Sequence, residues 1–307
     1  MLRSRGVHVV LIVVQVLMAS LAITGRIVLP VLPPGFLVLV RVGGAAVVLL
    51  VAHRLSGARH VTLREDLVQF LLLGLLGVSA NQTLFLYGLR HTTAVNATIL
   101  VTTIPVFTVL ESVITGREAA SALKFGGIGL AAAGAIYLIG PDRISLAPDL
   151  ALGNALILLG MVCYSLYLVL SKRMLQRYRP ITVSLYVMTF GALGVLPIGL
   201  HAATTLDLSG VSAKVWWLTA YIVLFPTILA YFLNIWALKR VSSNLVAVYI
   251  YLQPLFAALA APLLLPTERL TLRAGLAGMA IFSGLALVIA GERQQHREVP
   301  VEALPGE

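Results

Sequence analysis

The chain has 307 residues, of which 59% are hydrophobic and only 11% are charged. Soluble globular domains carry about 25% charged residues, so this composition excludes a water-soluble protein and leaves no stretch for a separate soluble domain. The formal net charge is +10, but the basic residues are scattered in twos and threes between apolar stretches, which argues against nucleic-acid binding.

Apolar stretches that are long enough to cross a membrane follow one another along the chain. A membrane-spanning helix needs about 20 mostly apolar residues. The sequence predicts ten such helices, at residues 8–29, 35–53, 67–89, 93–116, 123–140, 150–171, 181–203, 215–238, 242–265 and 271–290. Arg3 and Arg5 precede the first stretch as they would in a secretion signal, but its apolar run is longer than a signal core. We therefore interpret it as a helix of the mature protein.

The distribution of Lys and Arg predicts how these helices are oriented. With the N-terminus inside, 15 of the 22 basic residues fall in inner segments, 6 fall in outer segments, and Arg41 lies within a span. Cytoplasmic loops hold the excess of basic residues, so both termini are expected in the cytoplasm, in a multi-pass protein of the bacterial inner (plasma) membrane. Residues 292–307 are charged and contain two prolines, and we predict a disordered cytoplasmic tail there.

The second half of the chain repeats the first half at a distance of 149 residues. This shift places residues 87–90 on 236–239 and residues 105–107 on 254–256 without a gap. Each half then holds five helices, and an odd number makes the second half enter the membrane in the opposite direction. The predicted fold is therefore an all-α membrane protein of two inverted five-helix repeats, residues 1–145 and 146–291, around a central cavity.

Two segments of this repeat also carry the likeness to a known family. Leu-Arg-His-Thr-Thr-Ala at residues 89–94 leads to Ile-Pro-Val-Phe at 104–107, and Gln-Pro-Leu-Phe-Ala-Ala-Leu occupies residues 253–259. The chain resembles the EamA-type members of the drug/metabolite transporter superfamily. The resemblance implies that helices one to four and six to nine surround the cavity, that helices five and ten are outer scaffold, and that the substrate is an amino acid or another small metabolite. Pro266 and Thr267 depart from the usual Leu-Gly before the acidic residue.

Polar side chains within the helices are the candidates for contact with a solute, because leaving them in lipid is costly. Each alone is more often a hydrogen-bonding contact between helices, and their convergence on symmetry-related helices favours the set as a binding site. The candidate substrate-binding residues are Arg41, Asn81, Gln82, Asn96, Thr103, Tyr164, Tyr167, Tyr231, Asn234, Tyr249 and Gln253. A cavity of tyrosines and amides with few charges suits a neutral or zwitterionic solute better than a phosphate.

Four further residues have two interpretations each. Pro105 and Pro254 are either static kinks or a pair of symmetry-related hinges, because proline removes a helical hydrogen bond. Arg41 could hold helix ends or attract a substrate carboxylate. Glu111 could extend to the inner membrane surface or act as a proton-coupling group.

Small residues at positions 127, 131 and 135 follow the spacing of close helix packing. They could face another helix of the same chain or a second copy, and we favour the same chain. The expected assembly is a monomer or a weak homodimer, whose partners are the lipid bilayer and a small-molecule substrate.

The sequence favours a secondary transporter that works by alternating access. The favoured activity is export of an amino acid, which could be aromatic. It contains no G-x-x-x-x-G-K-[ST] loop for ATP. A channel-like facilitator or a non-transporting membrane subunit is the alternative. An intramembrane enzyme is less favoured, because Cys163 is the one cysteine and all six histidines lie at or beyond helix ends. We expect no catalytic residues, no metal and no cofactor.

Overall fold

The computed structural model describes residues 2–118, 120–140, 142, 144, 147–204, 206–207, 210–256, 259 and 272–298. Within these residues the chain forms helices and no strands. Among the described residues, eight helices are long and apolar enough to cross a membrane. Two shorter apolar helices, Gly6–Leu21 and Ser243–Phe256, occupy the predicted first and ninth positions. The protein is therefore an all-helical, multi-pass membrane protein.

Ten helical segments can be followed through the described residues. The uninterrupted ones are α1 (Leu2–Val28), α2 (Pro34–Leu55), α5 (Ala122–Ile139), α6 (Ala151–Arg177), α7 (Pro180–Thr204) and α10 (Leu272–Glu298). The interrupted ones are α3 (Arg64–Gly74, a π-helical segment Leu75–Ala80, and Asn81–Arg90), α4 (Ala94–Val101 and Ile104–Ile114), α8 (Ala213–Ile222, a π-helical segment Val223–Leu229, and Ala230–Leu238) and α9 (Ser243–Val248, a 3-10 segment Tyr249–Tyr251, and residues 252–256).

The end of α10 corrects the predicted boundary of the tail. The helix continues to Glu298, so residues 292–298 are helical and not the start of a disordered segment. The physical reason is a contact that the sequence did not reveal, because the Glu292 carboxylate lies 2.7 Å from the Lys124 ammonium group. Residues 299–307, and the part of the predicted ninth helix at 257, 258 and 260–265, lie outside the described residues.

The interruptions fall at equivalent positions of the two halves. A shift of 149 residues places Leu75–Ala80 on residues 224–229, within the second π-helical segment. The same shift places the α4 interruption at residues 102–103 on the end of the 3-10 segment Tyr249–Tyr251 and residue 252. Pro105 stands in the first turn of Ile104–Ile114. Since proline costs no helical hydrogen bond in a first turn, Pro105 begins a helical segment instead of bending a continuous one.

Helices at equivalent positions of the two halves pack against each other in opposite directions. The Gly35 end of α2 meets Ala202 near the end of α7. In α5 and α10, Gly127 and Gly284 approach so closely that a Cβ atom added to Gly127 would lie 2.6 Å from the Gly284 carbonyl oxygen. The small residues of α5 therefore face α10 of the same chain, as predicted.

Candidate functional site

A cavity of about 190 Å³ lies among α1, α3, α4, α6, α8 and α9. Its polar lining consists of Gln15, Asn81, Gln82, Tyr164, Tyr231, Asn234 and Gln253. The remaining lining is apolar and includes Met18, Phe85 and Met161. Among the described residues that line it, none carries a formal charge. The cavity therefore offers amides and phenol groups to a solute inside a mostly apolar wall.

One polar contact across this cavity joins equivalent positions of the two halves of the chain. The Gln82 amide Nε2 donates a hydrogen bond to the Tyr231 hydroxyl over 3.3 Å, and these residues are 149 positions apart. They therefore occupy the same place in the two repeats. A glutamine amide has two N–H donors and a carbonyl acceptor, so this bond occupies only part of its capacity. A solute that entered here could contact both halves at once.

Two other amide groups of the cavity also hold neighbouring helices. Gln253 Nε2 donates to Gln15 Oε1 over 2.7 Å, which joins α9 to α1. Asn81 Nδ2 donates to the Gly160 carbonyl oxygen over 3.0 Å, which joins α3 to α6. These bonds fix the orientation of each amide, so the polar face of the cavity is preorganised.

The π-helical segments explain why these side chains face inward. Leu75–Ala80 directly precedes Asn81 and Gln82, and Val223–Leu229 ends two residues before Tyr231. A π-helical turn holds more residues than an α-helical turn, so it rotates the side chains that follow, and such turns are frequent at functional sites. In the second segment the Thr227 hydroxyl donates to the Ile222 carbonyl oxygen over 2.7 Å. The side chain thereby satisfies a carbonyl that the altered turn displaces.

Six of the eleven predicted binding residues line this cavity: Asn81, Gln82, Tyr164, Tyr231, Asn234 and Gln253. Arg41 does not line it. The Arg41 side chain is 7% exposed, and its Nε donates to the Thr227 hydroxyl over 3.0 Å, so it joins α2 to the π-helical segment of α8. This contact joins two helices through their side chains and not through helix ends, so both roles considered for Arg41 stay predictions.

The other four predicted residues make contacts away from the cavity lining. The Thr103 hydroxyl donates to the Leu100 carbonyl oxygen over 2.6 Å, and Asn96 Nδ2 donates to Asn154 Oδ1 over 3.2 Å. The Tyr249 hydroxyl lies 2.6 Å from His8 Nδ1. The Tyr167 side chain is buried, and its ring packs directly against Gly77. A Cβ atom added to Gly77 would lie within 2.6 Å of two carbons of this ring.

Sequence reasoning missed Gln15, a polar side chain that α1 contributes to the cavity. Gln15 is 2% exposed in the structure. In the sequence it is a single polar residue within an apolar run, and the other amides were predicted from this same pattern. Glu111 is not part of the cavity lining, and its buried Oε2 atom has no hydrogen-bond partner among the described residues. These contacts do not test the predicted role of Glu111 in proton coupling.

A buried ionic cluster joins the connection between α4 and α5 to α5, α9 and α10 at one end of the bundle. Glu118 Oε1 accepts hydrogen bonds from the Ser243 backbone N–H over 3.0 Å and from the Ser243 hydroxyl over 2.7 Å. Glu118 Oε2 accepts from Asn244 Nδ2 over 2.6 Å. Lys124 is 1% exposed and pairs with Glu118 at 3.4 Å and with Glu292 at 2.7 Å. We call this region, defined by these five residues, the Glu118 end.

The same end is held by contacts of α6. The Lys172 ammonium group donates to the carbonyl oxygens of Leu238 and Val241 over 2.9 and 2.7 Å, which covers the connection between α8 and α9. Arg177 and Tyr178 both contact the buried Asp66 carboxylate of α3. Burial and the hydrogen bond to Asp66 raise the pKa of Tyr178 to about 12, so this hydroxyl stays a donor at neutral pH.

The opposite end of the bundle has fewer buried ionic contacts among the described residues. We call it the Asn154 end, after the residue whose Oδ1 accepts a hydrogen bond from the Thr92 hydroxyl there over 2.5 Å. Arg273 Nη2 lies 3.3 Å from Asp142 Oδ1, and these side chains are 33% and 69% exposed. A shift of 149 residues places Lys124 on Arg273, so the two ends carry equivalent basic residues.

Many apolar helices around a preorganised polar cavity are the arrangement of a multi-pass membrane transporter. The model of the EamA-like transporter family matches residues 6–140 and again residues 151–290. The chain therefore belongs to this family, as its resemblance indicated.

Its relatives include an uncharacterized transporter, YyaM, of Bacillus subtilis, which is 26% identical over 68% of this chain and 70% of that protein. A probable terminal-alkyne amino-acid exporter of Streptantibioticus cattleyicolor is 28% identical over 68% of this chain and 69% of that protein. A protein of known crystal structure, 18% identical, superposes with a TM-score of 0.79 over 95% of this chain and 99% of that one. This likeness supports the fold.

Proposed function

We propose that the chain is a secondary transporter that exports a small neutral or zwitterionic metabolite, most consistent with an amino acid, by alternating access. In this proposal ten transmembrane helices form two inverted five-helix repeats in a bacterial inner membrane, with both termini in the cytoplasm. The cavity between the repeats binds the solute, and the two ends of the bundle open in turn.

The observation that carries the proposal is an uncharged polar cavity to which both halves contribute. Gln82 and Tyr231 supply hydrogen-bonding groups from equivalent positions, and the described lining has no formal charge. A zwitterion or a neutral solute can exchange its hydration for amide and phenol groups, whereas a phosphate would leave its charge uncompensated. A cavity of about 190 Å³ suits a small metabolite.

The inverted arrangement is supported by the directions of equivalent helices. α2 packs against α7 and α5 against α10 with opposite chain directions, and the family model matches each half once. Two halves that insert in opposite directions can exchange conformations, so that each end alternates between closed and open. In this structure the buried Glu118 end corresponds to a closed gate.

A relative supports the choice of substrate class. The Streptantibioticus protein that is 28% identical to this chain is described as a probable terminal-alkyne amino-acid exporter.

A channel-like facilitator is the second candidate function, because inverted repeats would also form a continuous pore. Only a carrier shows counterflow, in which unlabelled solute on one side accelerates entry of labelled solute from the other.

The proposal is tested with purified protein in two steps. Thermal-unfolding measurements against the amino acids identify ligands, and proteoliposomes then report saturable flux and counterflow of those ligands. Saturable counterflow of a zwitterionic ligand supports the proposal, whereas binding restricted to sugar phosphates or nucleotides contradicts it. The Glu111→Gln variant tests proton coupling separately: if its flux still responds to a pH gradient as the wild type does, Glu111 is not the coupling group.

A further inference from the structure

A second cavity opens between α3 and α6 close to the Glu118 end. It has a volume of about 230 Å³ and does not share a lining residue with the central cavity. Its lining residues are Gln69, Leu72, Leu73, Arg117, Leu170 and Arg173. Three leucines thus form one part of its wall, and two guanidinium groups and an amide form the other.

The position of this cleft along the helices places it at the border of the apolar belt. Gln69 lies one turn inward from Asp66 on α3, and Arg173 lies one turn inward from Arg177 on α6. Asp66 and Arg177 form an ion pair at the end of these helices. Leu72 beside the cleft is 47% exposed, as expected for a side chain that faces lipid. The polar part of the cleft therefore lies beside a surface that hydrocarbon chains cover.

The charge of the cleft is positive. Arg117 and Arg173 are both exposed, and no described lining residue is acidic. Arg117 Nη1 donates to the Val169 carbonyl oxygen over 3.3 Å, which orients the guanidinium against α6 and leaves its other N–H groups for a ligand. The neighbouring Asp66 carboxylate is already bound by Arg177 and Tyr178.

We propose that this cleft binds the phosphate of an anionic membrane lipid. A guanidinium group donates two parallel hydrogen bonds to phosphate oxygens, and basic pockets between transmembrane helices hold anionic headgroups. Arg117, Arg173 and the Gln69 amide face the phosphodiester, and Leu72 and Leu170 contact the acyl chains. A lipid fits better than free phosphate because half of the wall is apolar. This proposal requires membrane insertion but not the direction or the substrate of transport.

The test measures which lipids remain bound to the full-length protein. Wild-type protein is placed in nanodiscs of equal parts phosphatidylglycerol and phosphatidylcholine, extracted into detergent, and analysed by native mass spectrometry. Each basic side chain near an anionic lipid contributes about a fivefold preference, so Arg117→Gln and Arg173→Gln should each lower retention of phosphatidylglycerol about fivefold. The Arg54→Gln variant is the control, because it removes an exposed charge from the end of α2 and should retain phosphatidylglycerol as the wild type does.

Three outcomes would overturn the proposal. Wild-type protein that shows no preference for phosphatidylglycerol over phosphatidylcholine excludes the site, and this result does not depend on any variant folding. Equal losses in Arg54→Gln and in the cleft variants assign the preference to overall charge. Stabilisation of the detergent-solubilised protein by inorganic phosphate, lost in Arg173→Gln and not accompanied by lipid retention, assigns the cleft to a soluble phosphate.

Discussion

The two ends of the bundle carry equivalent ion pairs in very different surroundings. At the Glu118 end, Lys124 is 1% exposed and lies 2.7 Å from the Glu292 carboxylate. At the Asn154 end, Arg273 and Asp142 are 33% and 69% exposed and lie 3.3 Å apart. In each case a basic residue in the first turn of α5 or α10 meets an acid near or just beyond the end of the other helix. The two contacts therefore resemble each other, whereas burial differs between the ends.

This difference predicts different energetic roles. An exposed ion pair contributes about 0–1 kcal/mol, because water screens it. In a buried ion pair each charge is compensated by its partner. Removal of one partner leaves the other charge buried and uncompensated, which lowers the free energy of unfolding by about 3–5 kcal/mol. The comparison teaches that ion pairs at corresponding positions of the two ends can differ in the access of water to their side chains. The counterpart of Glu118 in the second half falls in residues 260–271, outside the described residues.

The largest effect is expected for Lys124→Met. This change leaves Glu118 and Glu292 close together without their shared cation. We expect a loss of about 3–5 kcal/mol in the free energy of unfolding, seen as a lower midpoint of thermal unfolding in detergent. Arg273→Met, at the equivalent position, is the matched control and should lose about 1 kcal/mol or less. Equal losses for both variants would break the comparison between the ends.

The next largest effect is expected in the α5–α10 interface, which connects the two ion pairs. A Cβ atom added by Gly127→Ala would lie 2.6 Å from the Gly284 carbonyl oxygen, so the helices must separate, at a cost of about 1–3 kcal/mol. Gly126→Ala is the control, because a Cβ atom there meets nothing within 4 Å. Thermal unfolding of both variants checks this prediction. A stable Gly127→Ala protein would show that the interface is looser than described.

A smaller effect is expected in the cavity between the ends. Tyr231→Phe removes a cavity hydroxyl that, in the proposed function, forms a hydrogen bond with the solute, and such a bond contributes about 0.5–1.5 kcal/mol. The affinity for the transported solute should therefore fall about twofold to tenfold, as measured by thermal unfolding at increasing solute concentration. Tyr137→Phe, which removes a partly exposed hydroxyl on α5, should leave the affinity unchanged. A loss in Tyr137→Phe of the same size would remove the argument for a cavity-specific role.

The smallest effect on stability is expected for the predicted hinges. In Pro105→Ala the alanine stands in the first turn of a helical segment, where it is tolerated, so the amount of folded protein should change little. Flux should slow if the interruption of α4 changes conformation during transport. Pro148→Ala, in the 3-10 turn before α6, is the control and should leave flux unchanged. Parallel losses of flux and folded protein in Pro105→Ala would favour a static kink.

The periodicity and composition of the sequence were sufficient to predict the helices and most of the cavity amides, because apolar length and buried polarity are local signals. The π-helical segments and the pairing of Lys124 with Glu292 were not predictable in this way. Glu292 follows a long apolar helix and looks like the start of a solvated tail until α5 is placed beside it. Tyr249 is likewise a predicted binding residue, but it lies in the 3-10 segment and its hydroxyl contacts His8 instead of the cavity.

The access of water to the cavity from each side tests the central claim most directly. Met18 lines the cavity, and Met18→Cys in a Cys163→Ser background can be labelled with a membrane-impermeant maleimide in right-side-out and inside-out vesicles. Because the two ends open in turn, the account predicts labelling from both sides, but faster from the side of the Asn154 end, and Glu118→Gln should raise the rate from the side of the Glu118 end. Labelling from neither side, or faster labelling from the side of the Glu118 end while Glu118 is intact, would contradict the account.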